Sequence, residues 1–103
     1  HERGKIHLVP IEQVLFFRAE LKYITVRTAQ REYLIEESLT ALEQEFSVQM
    51  VRIHRNCLVA KNAIVGFEKE EEGGAWQVKL RDLAEALPLS RRQSFLVKEF
   101  GKS

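Results

Sequence analysis

The feature that most limits what this chain can fold into is the period of its apolar residues. They fall in short runs that either alternate with polar residues or form solid blocks, each ended by turn residues, which is the pattern of strands. Val14-Leu15-Phe16-Phe17 is a block of buried-strand length, and Arg18–Lys22 reads as a polar break after it. Tyr23–Thr28 places β-branched residues at alternate positions, Ala29-Gln30-Arg31 turns the chain, and Glu32–Ile35 returns it, giving an expected antiparallel meander. Ile6–Val9, Met50–Ile53, Ala63–Phe67, Ala75–Leu80 and Ala86–Leu89 read as further strands, and His54–Asn62 as a turn or short helix. Helical spacing occurs in two places. Leu39, Leu42 and Phe46 follow Ser38 as a candidate N-cap, and Phe95, Leu96 and Phe100 follow Ser90 in an expected helix over Arg91–Phe100 that stops at Gly101. These two segments are far apart in the chain, so no helix-turn-helix pair is available.

At 103 residues, with no internal repeat or interior linker, the chain is expected to form a single domain over residues 1–103. It begins at His1 and not Met, so it is expected to be part of a longer protein. It carries no basic-then-apolar leader and no apolar run near the ~20 residues of a membrane span. One cysteine, Cys57, excludes an internal disulfide framework and suits a reducing, cytoplasmic compartment.

A net charge of +1 conceals an uneven distribution. Residues 48–65 hold Arg52, Arg55 and Lys61 with no acid, and residues 90–103 hold Arg91, Arg92, Lys98 and Lys102 against Glu99 alone. Between them, Glu68, Glu70, Glu71 and Glu72 against Lys69 form an acidic hairpin tip closed by Gly73-Gly74, expected to lie away from any polyanion. Basic segments on a nearly neutral chain allow a basic face, although solvated side chains are the simpler reading.

Catalytic and metal chemistry find little support. His54 and Cys57 form half a metal site, with His1 and His7 remote, and no second pair of ligands exists. Neither an orienting acid nor a glycine-rich turn accompanies Cys57, so a packed apolar cysteine is the plainer reading. Gly73-Gly74 precedes no helix and makes no phosphate loop. The suggestive residues are basic ones at element ends: Lys22 between two strands, Arg55-Asn56 on the turn inside Arg-Ile-His-Arg-Asn, and Arg91-Arg92 after Ser90. Arg forks to guanine and Asn to adenine in a major groove. The competing reading is of solvated turns with His54 a satisfied buried histidine.

Four groups of residues carry a family resemblance: Phe16-Phe17-x-Ala19-Glu20-x-Lys22-Tyr23, Ser38-Leu39-x-x-Leu42 with Phe46, Val51-Arg52-Ile53-His54-Arg55-Asn56-x-Leu58-Val59, and Leu87-x-Leu89-Ser90-Arg91-Arg92. Together, over residues 5–98, they resemble the LytTR DNA-binding domain, an output module of bacterial response regulators. Asn56, where many members carry Ser, and Ala60, where many carry Asn, depart from that pattern. The resemblance implies a mainly β fold, an elongated antiparallel β-sheet or sandwich assembly with two short helices. It implies sequence-specific binding of double-stranded promoter DNA by loops that enter successive major grooves. It also implies two protomers on DNA, an N-terminal receiver domain and a cognate histidine kinase, with no metal or organic cofactor and no membrane. Lys22, Arg55 and Arg92 fall at the family's base-contacting positions, Tyr23 or Ile24 sharing that of Lys22. His54, Asn56 and Arg91 adjoin them, and Ser90 and Lys61 stand as phosphate contacts. The alternative from a different class is a β-rich protein–protein or dimerisation module without DNA binding.

Overall fold

The computed structural model describes residues 9–101. Most of the expected first strand, Ile6–Leu8, and His1 and His7 lie outside them. Pro10 opens a 3₁₀ turn, Ile11–Gln13, its carbonyl accepting the Gln13 N–H at 3.0 Å. The chain then forms β1 (Val14–Glu20), β2 (Tyr23–Thr28), β3 (Glu32–Ile35), α1 (Leu39–Glu45), β4 (Met50–His54) and β5 (Cys57–Ala60). After a second 3₁₀ turn at Lys61–Ala63 come β6 (Ile64–Lys69), β7 (Trp76–Leu80), β8 (Leu87–Pro88), a third 3₁₀ turn at Arg91–Gln93 and α2 (Leu96–Gly101). Every strand pairing is antiparallel: one sheet in the order β3-β2-β1-β5-β4, the other β6-β7-β8. The molecule is elongated, 44 × 26 × 24 Å.

The mainly β architecture and the β1-β2-β3 meander are as expected, and Ser38 caps α1 by accepting the Ala41 N–H at 2.9 Å. Three local readings are corrected. Arg18-Ala19-Glu20 is not a break but the end of β1. The Arg18 guanidinium lies over the Phe16 ring at 4.9 Å and its Nε meets Glu20 at 2.8 Å, so its stem packs like an apolar residue. The turn shrinks to Leu21-Lys22. The stretch His54–Asn62 is mostly strand, since Cys57-Leu58-Val59-Ala60 is wholly buried between β1 and β4. A strand covered on both faces shows no alternation, and polar neighbours on either side concealed so short a run. The final helix is broken: Gln93 and Ser94 donate to carbonyls three residues back, and α2 starts only at Leu96. Ser90 makes no side-chain cap, because Arg91–Gln93 closes as a 3₁₀ turn in which the Gln93 N–H bonds the Ser90 backbone carbonyl at 3.0 Å; the Ser90 N–H is held by the Ile53 carbonyl at 2.9 Å and docks the segment on β4.

Both sheets and both helices contribute to one contiguous core. Phe16, Leu15, Ile53 and Leu58 from the larger sheet meet Val78, Leu87 and Leu96 from the rest, all nearly inaccessible. Phe17 stacks on Phe46 at the end of α1, rings 6.2 Å apart. The β4–β5 ladder is irregular between Arg52 and His54, leaving Ile53 as a bulge residue. Bulges bend a strand and re-aim its polar groups, and this one adjoins the turn that carries Arg55 and Asn56.

Candidate nucleic-acid interface

Two of the basic positions share one end of the larger sheet. The β1–β2 turn ends at Tyr23 and the β4–β5 turn holds Arg55-Asn56. The Ala19 N–H donates to the Asn56 carbonyl at 2.8 Å, so the turns are neighbours. Leu21 is at the tip of the first with φ 54° and its side chain fully exposed, 105 % of the reference area. A left-handed backbone costs a non-glycine residue roughly 1–2 kcal/mol, and full exposure leaves the leucine nothing inside the protein to offset it. Sequence reading passed over Leu21, because nothing in the letters marks a positive φ. Lys22 and Tyr23 are exposed beside it, whereas Ile24 is buried in β2 and points away from any ligand.

The third segment, Ser90–Gln93, rests on the outer edge of β4. Besides the Ser90–Ile53 bond, Gln93 Nε2 donates to the Arg52 carbonyl at 2.6 Å. Consecutive carbonyls of a regular strand point to opposite edges; the bulge at Ile53 lets those of Arg52 and Ile53 both face this segment. Arg91 and Arg92 are exposed on it. Among the described residues, the side chains of Lys22, Arg55, Arg91 and Arg92 donate to no protein group, so their charges are open to a ligand. A single 3₁₀ turn is too short for a helix dipole, so the anion attraction expected at a helix start comes from the guanidiniums alone.

The remaining basic residues of 48–65 are engaged. Arg52 Nε donates to the His54 carbonyl at 3.1 Å and Nη2 to the Arg55 carbonyl at 2.8 Å, while Nη1 pairs with Glu43 of α1. His54 Nδ1 accepts the Asn56 N–H at 3.2 Å, which leaves the proton of a neutral ring on Nε2. Lys61 is not brought to this end. It follows β5 at the other end of the strand, its N–H bonded to the Gln49 carbonyl at 2.9 Å and its ammonium to that of Ser47 at 3.2 Å. The acidic tip is closer to the basic residues than expected: Gly73, Gly74 and Trp76 line one groove with Ser90, Arg91 and Ser94, about 410 Å³ in volume.

Cys57 lies beneath the β4–β5 turn, 3 % exposed. Burial pushes its thiol up to about 12 although Arg18 and Arg52 pull the other way. A thiol held neutral is a poor nucleophile and a poor metal ligand. Among the described residues no group of three His, Cys, Asp or Glu side chains is placed to hold a metal, and no helix is long and apolar enough to cross a membrane.

Comparisons with known proteins bear on the family and the fold. The family model of the LytTr DNA-binding domain matches residues 4–102. The positive alginate biosynthesis regulatory protein of Pseudomonas aeruginosa is 47% identical over 91 residues, covering 87% of this chain and 36% of that protein. The chain thus spans about a third of that relative's length. A LytTr DNA-binding domain from Bacillus cereus has the same fold, with a TM-score of 0.76 at 22% identity over 91% of this chain and 86% of that one. With a family match over nearly its whole length, the chain belongs to the LytTR family of DNA-binding domains.

Proposed function

We propose that this chain is the effector domain of a two-component transcription regulator, a single domain that binds double-stranded promoter DNA sequence-specifically through loops. The supporting observation is the row formed by the β1–β2 turn, the β4–β5 turn and Ser90–Gln93 along one end and edge of the larger sheet, each carrying an exposed cation that is unpaired among the described residues. Neighbouring turns there are about two strand spacings apart, roughly 10 Å. Successive major grooves recur every ~34 Å. The outer members, Lys22 and Arg92, then lie roughly 20 Å apart, and their extended side chains carry that reach toward the spacing of successive major grooves, with Arg55-Asn56 presented to the DNA between them. Lys22, Arg55 and Arg92 read base edges, Leu21 offers apolar surface to a thymine methyl, and Arg91, Ser90 and the His54 Nε2–H bind phosphate. Two protomers read a pair of half-sites. An upstream receiver domain, phosphorylated by a histidine kinase in the cytoplasm, controls occupancy, and alginate genes are first candidates as targets because of the relative's role.

The test is a titration against duplexes selected by the protein from a randomised pool, and against scrambled duplexes, at several salt concentrations. The expected result is preferential binding whose log affinity falls linearly with log salt, by about 0.9 per phosphate contacted. Binding that ignores both sequence and salt would refute DNA readout and favour a protein-interaction module.

A further inference from the structure

The five consecutive carbonyls of Arg52–Asn56 are all accounted for, and the donors come from every part of the interface. Arg52 and Ile53 accept from Gln93 and Ser90 of the third basic segment. His54 and Arg55 accept from the Arg52 guanidinium. Asn56 accepts from Ala19 at the end of β1. Arg52 is the residue common to both sides of this arrangement: its side chain holds the turn, and its carbonyl holds Gln93. Its remaining nitrogen is held by Glu43, so the guanidinium is oriented from α1, and its side chain is only 23 % exposed.

We infer that Arg52 is a positioning residue for base readout: it fixes the Arg55-Asn56 turn relative to the Arg91-Arg92 segment and does not touch DNA itself. The inference rests on the DNA-binding reading above. Its physical basis is the guanidinium's planar fork, which reaches two carbonyls and a carboxylate at once. A lysine ammonium carries the same charge but lacks that geometry. Glu43 neutralises the charge locally, and with each guanidinium nitrogen engaged inside the protein, Arg52 is not a free phosphate ligand.

The experiment compares Arg52→Lys, Glu43→Gln and Arg55→Ala, singly and with Arg52→Lys and Arg55→Ala combined. Each is titrated with a duplex selected by the unmodified protein from a randomised pool and with a scrambled duplex, at several salt concentrations. Arg52→Lys is expected to lose roughly tenfold in affinity for the selected duplex, within the range a misplaced base-reading side chain is worth. Affinity for the scrambled duplex and the salt slope stay as they were. Combined with Arg55→Ala, the further loss shrinks below about threefold, because the turn no longer carries the side chain being positioned. A fall in salt slope of about 0.9 on both duplexes would show that Arg52 binds a phosphate directly. Full additivity in the double variant, or unchanged selectivity in Arg52→Lys, would equally overturn the inference. Should Arg52→Lys fail to fold, Glu43→Gln, which keeps an acceptor but loses the charge, must show the same pattern at smaller amplitude, and its absence would overturn the proposal. If the unmodified protein shows no preference for selected DNA, the functional reading itself fails, and that is seen before any variant is made.

Discussion

Cys57 offers a prediction whose size follows from its surroundings. Its thiol is buried in β5 and held up to about 12, against an ordinary 9.0. Above 9.0 the unfolded chain releases this proton while the native protein keeps it, so the native state binds more protons and stability falls as pH rises. Between 9.0 and about 12 each pH unit removes about 1.4 kcal/mol. Below 9.0 the effect is absent. At neutral pH, Cys57→Ala removes a packed sulfur and should cost about 1 kcal/mol, an ordinary value for a small core truncation. By pH 10 the unmodified protein has lost about 1.4 kcal/mol through this linkage and the variant none, so the two stability curves should cross near that pH. Every other ionisable group is common to both proteins and cancels in the difference. Urea unfolding of both proteins at half-unit steps from pH 7 to 10.5 measures this directly. DNA binding at pH 7 should be the same for both, and the native thiol should react with an aromatic disulfide only as fast as the domain opens. Parallel curves, or a thiol modified at the rate of a free cysteine, would refute the argument and bring back a redox or nucleophilic role.

Other outcomes follow from the interface. Arg92→Ala should weaken binding to a selected duplex by ~1–3 kcal/mol and relax preference at one base pair; equal loss on every single-base variant in gel shifts would mark it as a phosphate contact only. Lys61→Ala should leave the salt slope unchanged, since its ammonium is at the far end of β5 on the Ser47 carbonyl; a drop of about 0.9 would extend the interface to that end. Changing Glu70, Glu71 and Glu72 together to Gln should raise affinity for selected and scrambled DNA alike at low salt, an effect fading near physiological ionic strength, where screening acts over ~8 Å. Loss on the selected duplex alone would place the hairpin against bases.

Where a strand had one wet face, or a turn had its own residue signature, the sequence was sufficient. Trp76–Leu80 alternates because Val78 and Leu80 face the core while Gln77 and Lys79 are partly exposed, and Tyr23–Thr28 was legible from its β-branched residues and the turn after it although Ile24, Thr25 and Val26 are all buried. β5 was hidden because Cys57–Ala60 has no wet face, and its assignment depends on β1, which lies beside it in space but some forty residues away in sequence. The final helix failed for a related reason: Ser90 has the composition of an N-cap, but docking on β4 leaves Arg91–Gln93 as a 3₁₀ turn in which the Gln93 N–H goes to the Ser90 backbone carbonyl.

The candidate site divides along the same line. Lys22, Arg55, Arg91 and Arg92 were legible because each is a cation at the end of an element, a position set by neighbours in sequence. What the residues of Arg-Ile-His-Arg-Asn do separately was not legible. Both arginines count equally in a charge tally, yet Arg55 is open to solvent while Arg52 is turned inward by Glu43, nine positions upstream. The carbonyl of Arg52 is taken by Gln93, 41 positions downstream. Only the bulge at Ile53 makes that arrangement possible, because without it the carbonyls of Arg52 and Ile53 would point to opposite edges and Ser90–Gln93 could not dock on both. A charge tally along the chain therefore overstates the basic face: of the three cations in residues 48–65, Arg52 and Lys61 donate to protein groups, and Arg55 alone is open to a ligand. Arg52, which a count of charges groups with Lys22, Arg55, Arg91 and Arg92, should then add nothing to non-specific binding and act only on the fidelity of readout, through the turn that carries Arg55.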